Sequence, residues 1–249
     1  LVSVSHTETL TGTGFQTGLS VAAANGTFTL GTVTSTSITL NNFLPTSTGP
    51  DLLTVTNPDG GVSSYSITIT PKPTLTSITG SPVVKGQAKT ITLVGTGFQS
   101  GLTVAASNGT WTVGTITSTS IVLNNFNATA TGTDTITVTN PDGGSASIGL
   151  TVDAAPTITA VTPATVKHNS STTYTLTGTG FVSGATVTIT ENGTSMTSIS
   201  ATTVTSSTSL SFSAKALATP TSGSVTVVIT VTNPDGGVSN AYSKTMTAS

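Results

Sequence analysis

Residues 54–61 read Thr-Val-Thr-Asn-Pro-Asp-Gly-Gly, and the same eight residues return at 137–144 and at 230–237. A second motif, Gly-Thr-Gly-Phe, precedes each copy and stands at residues 12–15, 95–98 and 178–181. Successive copies of the second motif are 83 residues apart, whereas the last two copies of the first are 93 apart. The spacing predicts three repeated units at residues 1–72, 73–155 and 156–249, the third with a middle region about ten residues longer. We refer to them as units 1, 2 and 3.

The composition favours strands over helices. Thr is the most frequent residue, whereas the strong helix formers Glu, Lys, Arg and Gln are scarce. Thr is β-branched and its hydroxyl tolerates water, so a Thr-rich strand can face solvent without carrying charge. We therefore expect an all-β fold in each unit.

Turn and strand signals alternate within each unit. The alternating residues 90–94 predict a half-buried strand, and the Asn-Pro-Asp-Gly-Gly sequence predicts a turn, since Pro presets φ and Gly takes a left-handed conformation. Asn-Gly at 25–26, 108–109 and 192–193 predicts tight hairpins. About seven short strands per unit indicate immunoglobulin-like β-sandwiches. The short Pro-containing links between units predict an extended row.

Unit 1 lacks a predicted opening strand. Residues 73–78 and 156–161 read as opening strands of units 2 and 3, but only eleven residues precede Gly12. Either an upstream strand has been removed or another chain supplies it by β-augmentation. Because the chain also begins without Met, we expect a processed product or part of a longer protein.

Charge and cysteine content narrow the classes of function. Charged residues make up 6% of the chain, with eight acidic residues and six basic residues that are all Lys. This leaves no basic patch for nucleic acid. There is no Cys for disulfides or thiol chemistry. No apolar run approaches the length of a membrane span. The neutral, hydroxyl-rich composition favours an extracellular, cell-surface or virion-surface location, and its low charge favours self-association.

Gly-Thr-Gly-Phe, a small polar residue and Gly, followed by a strand ending Val-Thr-Asn-Pro-Asp-Gly-Gly, resembles the IPT/TIG immunoglobulin-like domain family. The resemblance covers nearly the whole chain in three copies. It implies an early-set immunoglobulin fold and no catalysis, because the matching residues are turn and core positions. Transcription-factor members bind DNA through basic loops, which have no counterpart here. The missing opening strand of unit 1 and the longer middle of unit 3 depart from the family pattern.

The candidate catalytic and metal-binding residues do not form a repeated constellation. His6 and His168 belong to different units and have no repeated acidic partners, so we predict no catalytic residue. Asp59, Asp142 and Asp235 recur in the turns and could each offer oxygen to calcium, but each turn carries one carboxylate. Asp51, Asp134 and Glu191 do not cluster around these turns. We therefore predict turn formation, with no metal and no cofactor.

Aromatic residues and glycosylation patterns give weaker signals. Trp111 could stack on a sugar, but its counterparts are Phe28 and Ser195, so a core or strand-surface position is favoured. Asparagines that begin glycosylation acceptor patterns include Asn25, Asn108, Asn127 and Asn192. Hairpin chemistry already explains three of them.

The sequence predicts a non-catalytic structural protein of an extracellular surface, forming a stalk, adhesin or filament. Near-copies of one block lengthen a stalk, whereas an enzyme gains little from such copying. One alternative is a bacteriophage decoration or fibre protein, and another is a carbohydrate-binding accessory region of a secreted enzyme. The expected partners are copies of the chain, neighbouring subunits, or a cell-surface glycan or protein, with neither nucleic acid nor membrane insertion.

Overall fold

The computed structural model describes residues 1–166, 171–195, 199–215 and 224–248, and every regular element in these ranges is a β-strand. The strands of unit 1 are β1 (His6–Thr11), β2 (Ser20–Ala23), β3 (Gly26–Val33), β4 (Ser37–Pro45), β5 (Gly49–Thr56) and β6 (Val62–Ile69). Those of unit 2 are β7 (Thr74–Thr79), β8 (Val83–Val84), β9 (Lys89–Thr96), β10 (Thr103–Ala106), β11 (Thr110–Ile116), β12 (Ser120–Asn127), β13 (Gly132–Thr139) and β14 (Ser145–Asp153). Those of unit 3 are β15 (Thr157–Thr162), β16 (Thr165–Val166), β17 (Ser171–Thr179), β18 (Thr186–Glu191), β19 (Thr194–Ser195), β20 (Thr203–Ser206), β21 (Ser209–Lys215), β22 (Ser224–Thr232) and β23 (Tyr242–Ala248). Within these ranges there is no helix that could cross a membrane.

The strands form six sheets, and each sheet takes its strands from a single unit. Unit 1 has the orders β1-β4-β3 and β2-β5-β6. Unit 2 has β11-β12-β9-β7 and β10-β13-β14-β8, and unit 3 has β15-β17-β21-β20 and β16-β23-β22-β18-β19. Pairing is antiparallel except where the two-residue strands β8 and β16 join β14 and β23 in parallel. The predicted all-β, immunoglobulin-like sandwich fold is therefore confirmed.

Alternation of apolar and Thr side chains places a core between the two sheets of each unit. In β17 every second residue is buried, and the residues between them are exposed. Three buried clusters result, and each contains side chains from a single unit. In unit 2, Ile91 and Ile121 of one sheet pack in the same cluster as Ile136 and Leu150 of the other. A Thr-rich chain can thus bury apolar cores while keeping an outer surface of hydroxyl groups.

The opening strands of units 2 and 3 lie at sheet edges and have no counterpart in unit 1. β7 pairs with β9, and β15 pairs with β17. The first strand of unit 1 is β1, which pairs with β4 alone. Residues 1–72 contain no counterpart of β7 or of β8. One hydrogen bond next to β8 is nevertheless repeated. Lys85 N–H donates to Asp153 O in unit 2, and Val2 N–H donates to Thr70 O in unit 1. Unit 1 is therefore a sandwich with an open side.

The prediction of tight Asn-Gly hairpins is correct in unit 3 and wrong in units 1 and 2. In unit 3, Asn192 and Gly193 have φ of 49° and 84° and join the paired strands β18 and β19. In unit 2 the chain crosses there from the sheet of β10 to the sheet of β11. The buried Asp134 Oδ1 accepts the N–H of Ser107 and of Asn108 at this crossing. A tertiary acceptor therefore replaces the hairpin hydrogen bonds that the dipeptide favours.

Candidate functional site

The two repeated motifs are joined to each other in every unit through one Asn side chain. In unit 2, Asn140 Nδ2 donates to Gly97 O at 2.8 Å, and its Oδ1 accepts the N–H of Gln99 at 3.2 Å. Asn57 makes the equivalent bonds in unit 1. Asn233 makes them in unit 3, where its Nδ2 donates to Gly180 O at 2.7 Å. The side chain of this Asn thus joins the two repeated motifs to each other in each sandwich.

The three motif aspartates form their turns, as the sequence predicts. Their Oδ1 atoms accept the N–H of the residue two positions later, at 2.9 Å for Asp59, 3.0 Å for Asp142 and 2.7 Å for Asp235. Within the described residues, no group of three or more potential ligands among His, Asp and Glu is placed to hold a metal ion. Each turn is an Asp-stabilised loop whose final Gly faces outward from its own sandwich.

Two of these carboxylates are held in their charged form. The N–H of Gly61 and the side-chain amide of Gln16 lower the pKa of the fully exposed Asp59. Partial desolvation raises the pKa of Asp142, but hydrogen bonds from Gly144, Gln99 and Thr70 outweigh it and leave the pKa below its ordinary value. Thr70 belongs to unit 1, and its Oγ1 donates to Asp142 Oδ2 at 2.8 Å. The turn of unit 2 therefore also receives a bond from the preceding unit.

The final Gly of the turn is a contact point between consecutive units. A Cβ built on Gly144 would lie 3.0 Å from Leu1 Cδ2 and 3.1 Å from Pro73 Cδ. A Cβ on Gly237 would lie 3.2 Å from Val84 Cγ2 and 3.3 Å from Pro156 Cδ. Leu1 and Val84 are 83 residues apart, as are Pro73 and Pro156. The same junction, an aliphatic side chain and the linker Pro on a turn Gly, therefore occurs twice.

Polar groups extend the junction between units 2 and 3 around a cleft of about 180 Å³. Lys89 Nζ donates to the carbonyl oxygens of Pro82 at 2.9 Å and Asp235 at 3.3 Å. With the amide of Gln87 oriented to satisfy both neighbours, its nitrogen donates to Gly236 O at 2.8 Å and its oxygen accepts the Val238 N–H at 3.0 Å. Side chains of unit 2 thus bind the backbone of the unit 3 turn.

Unit 1 presents an open groove next to its own turn. The groove has a volume of about 430 Å³ and lies between β1 and β6. We call it the unit 1 groove, and it is lined by Glu8, Thr9, Leu10, Thr11, Gly12, Thr13, Phe15, Val55, Ser63, Ser64 and Tyr65. It lies on the side of the sandwich where unit 1 has no opening strand.

His6 lies beside a carboxylate at the start of β1. His6 Nε2 lies 3.2 Å from Glu8 Oε2, and its ring contacts Phe43 edge to face. His168 lies outside the described residues. His6 therefore takes part in a local pair beside the unit 1 groove, and the nearby hydroxyls of Ser63 and Ser64 belong to the opposite wall.

Trp111 occupies the position that the sequence favours for it. Its ring is half-buried against the unit 2 core and stacks on Phe126, with centroids 5.8 Å apart and planes at 23°. Phe28 contacts Phe43 in unit 1 in a similar way. One face of the indole is therefore already occupied by a core ring. The acceptor asparagines Asn25, Asn108, Asn127 and Asn192 lie at strand ends and turns, and their glycosylation stays a prediction.

Asp51 and Asp134 were assigned no role from the sequence, yet they are 83 residues apart and fully buried. Asp51 Oδ1 accepts the Asn25 N–H at 2.9 Å, and Asp134 Oδ1 accepts two N–H groups at the equivalent crossing. Their separation of 83 residues equals that of the repeated motifs, and this match could have identified them from the sequence. Glu191 is also buried, in unit 3. Asp51 and Asp134 hold the crossings between sheets in units 1 and 2.

Residues 156–246 match the family model of the IPT/TIG domain. No curated protein matches the chain in sequence. An I-band fragment of titin aligns at 16% identity over 100% of this chain and 92% of its own, with a TM-score of 0.39. The plexin A4 extracellular region aligns at 14% identity over 98% of this chain and 32% of its own, with a TM-score of 0.36. SGBP-B from the Bacteroides ovatus mixed-linkage glucan utilization locus, in complex with a mixed-linkage heptasaccharide, aligns at 14% identity over 93% of this chain and 60% of its own, with a TM-score of 0.28. The chain therefore contains a member of the IPT/TIG immunoglobulin-like domain family at residues 156–246.

Proposed function

We propose that this chain is a non-catalytic structural segment of an extracellular surface, a row of three immunoglobulin-like domains at residues 1–72, 73–155 and 156–249. The observation that carries the proposal is the repeated junction. A Cβ on Gly144 would meet Leu1 and Pro73 in the same way that a Cβ on Gly237 would meet Val84 and Pro156. A contact that recurs at both junctions would give each pair of neighbouring domains the same orientation, which is what a stalk or filament requires.

The surface chemistry supports the same role. Thr hydroxyls cover the strands, and only 6% of residues are charged. Such a surface offers many weak hydrogen-bonding groups and few specific charged sites, as a spacer or a subunit packed among others requires. The largest polar constellations, at the turns, are used by the fold and the junctions. The IPT/TIG family of unit 3 is frequent in bacterial surface proteins, in keeping with this location.

Immunogold electron microscopy on the native source, with an antibody against unit 3, tests the proposal. Label along cell-attached fibres or the envelope is the expected result. Label on virus particles would replace the cell-surface role by a virion decoration or fibre. Label confined to the cytoplasm would contradict both. Preadsorbing the antibody with the purified chain provides the control.

A further inference from the structure

Units 1 and 2 each end one sheet in a long strand with a free edge. β3 pairs with β4 alone, and β11 pairs with β12 alone. The two strands are eight and seven residues long. Each lies at the opposite end of its sheet from β1 or β7, so it is separate from the unit 1 groove. A free edge exposes backbone N–H and C=O groups with which a further strand can pair.

An irregularity in both strands turns an aliphatic side chain to solvent. The pairing register of β3 shifts between Leu30 and Val33, and that of β11 shifts between Val113 and Ile116. The residue before Leu30 or Val113 is exposed as well, so the alternation is broken at this point. Leu30 is 44% exposed and Val113 is 48% exposed. A bulge that directs an aliphatic side chain outward at the same position of two units indicates a contact made by that side chain.

A side-chain amide lies beside each of these aliphatic groups. A Cβ on Gly31 would meet Asn41 Nδ2, and one on Gly114 would meet Asn124 Nδ2. The amide of the inner strand therefore lies over the edge strand, directly after the exposed aliphatic residue. Within the part of the chain that the structure describes, neither amide makes a hydrogen bond. Each amide can therefore donate to and accept from the backbone of a strand laid along the edge.

The two edges carry no charge. Residues 25–45 and 108–128 contain no Asp, Glu, Lys, Arg or His, and neither β3 nor β11 contains Pro. Proteins commonly protect a free edge with a lysine, a proline or a short strand. The corresponding edge strand of unit 3, β20, has only four residues. β3 and β11 are longer and uncharged, so nothing repels an identical edge.

One such edge is too small to hold a partner by itself. The regular part before the register shift is residues 26–30 in β3 and residues 110–113 in β11. Five residues span about 17 Å, so at a sheet thickness of about 10 Å one edge offers about 170 Å². Stable interfaces bury roughly 800 Å² on each partner. A partner must therefore engage both edges, and its own edges must recur at the spacing of this repeat.

We propose that β3 and β11 pair edge to edge with the same strands of a second copy of this chain. The second copy meets these requirements, because its edges are free, uncharged and one repeat apart. Matching edges pair antiparallel about a two-fold axis, which brings the exposed aliphatic side chains of the two copies together. The two edges together still bury less than a permanent dimer does, so the association is weak and reversible. The pairing rests on the proposed row of domains, because both edges have to be held at a fixed separation.

Lysine substitutions on the edges test the pairing. Leu30→Lys and Val113→Lys place a charge on each edge, and both residues lie outside the buried clusters, so we expect the fold to be kept. Leu52→Lys is the matched control. Leu52 is 50% exposed, but its strand β5 has β2 and β6 on its two sides and offers no edge. Thermal unfolding of each variant confirms that the domains remain folded.

Sedimentation velocity of the full chain over a range of concentrations measures the association. The parent chain and Leu52→Lys should sediment faster as the concentration rises, whereas the variant with both edge lysines should stay monomeric. Either edge lysine alone should raise the concentration needed for half-association at least about tenfold, because the gain from engaging two edges is lost. A parent chain that stays monomeric, or a double variant that associates as Leu52→Lys does, would overturn the proposal.

Hydrogen exchange at low and high concentration locates the contact. Amides in residues 26–30 and 110–113 should gain protection together, and those of β20 should not. Protection gained instead in β1 and β6 would mean that the copies meet at the open side of unit 1, which would also overturn the proposal. A monomeric chain whose X-ray scattering is that of an extended row would remove the pairing and leave the proposed row of domains intact.

Discussion

The last glycine of the repeated turn follows the same seven residues in every unit, yet its surroundings differ from unit to unit. These glycines are Gly61, Gly144 and Gly237. All three lie close to the carboxylate of their own turn Asp. Gly144 and Gly237 also meet the preceding unit, whereas Gly61 meets only atoms of its own turn. The sequence marks all three as turn residues, and only the folded chain separates those that also form a junction.

Gly144→Ala and Gly237→Ala should each lower the free energy of unfolding by about 1 kcal/mol, because the added methyl overpacks a junction. Gly61→Ala is the matched control, since its methyl meets Asp59 Oδ1 at 3.2 Å and no neighbouring unit. Denaturant unfolding monitored for each variant measures the difference. If all three substitutions lower the free energy of unfolding equally, the destabilisation arises inside the turn and not at the junction.

Asp142 should make the first junction sensitive to acid. Its folded pKa lies below the ordinary value of 3.8, so its bonds stabilise the fold above that value and are lost as pH falls through the folded pKa. Because the carboxylate is largely exposed, solvent screening limits the effect to below about 1 kcal/mol. Unfolding free energies measured from neutral to acid pH should fall less in Asp142→Asn than in the parent chain. A steeper fall in the variant would contradict the assignment.

Asp134→Ala should lower the free energy of unfolding by about 2 kcal/mol or more, because it removes the acceptor of two N–H groups at the crossing between sheets. Asp134→Asn keeps a side-chain oxygen and should restore most of the loss. Thermal unfolding of the two variants measures the difference. If both variants lose the same stability, the carboxylate acts through its charge and not as an acceptor.

At the level of elements, the open side of unit 1 is the main asymmetry among the repeats. β1 has one neighbouring strand, β4, whereas its counterpart β9 lies between β12 and β7. An edge strand exchanges its free amides with solvent, and an inner strand does not. We therefore expect the three units to differ in local stability although they share a fold.

Hydrogen exchange followed by mass spectrometry should find β1 and β6 less protected than β9 and β14. The comparison is internal, because the paired strands have equivalent positions and similar sequences in one chain. Equal protection of β1 and β9 in the free chain would mean that the edge of β1 is already covered.

Local signals predicted much of this architecture. β7, β15 and the Asp-stabilised turns follow from alternation and turn chemistry, which act over a few residues. The Asn-Gly hairpin at Asn108 was predicted wrongly, since pairing there depends on which sheet receives the next strand. The two-residue strand β8 has no periodicity to detect. The unit 1 groove and the junctions arise from contacts across tens of residues, so only the folded chain shows them.

At the level of the whole molecule, a single block is used three times with small, local departures. Sparse charge and hydroxyl-covered strands recur in every repeat, and a short Pro-containing link joins each neighbouring pair. Each later unit receives the same two hydrophobic contacts on its turn Gly. We propose that this repeated junction holds three domains in an extended row.

Small-angle X-ray scattering of the chain in dilute solution tests that claim most directly. A compact single domain of this length would have a radius of gyration of about 18 Å. We predict a clearly larger value and a distance distribution with a long tail, the profile of a semi-rigid row of domains. Gly144→Ala and Gly237→Ala should broaden that tail by loosening the junctions. A radius near the compact value, with a symmetrical distribution, would contradict the account.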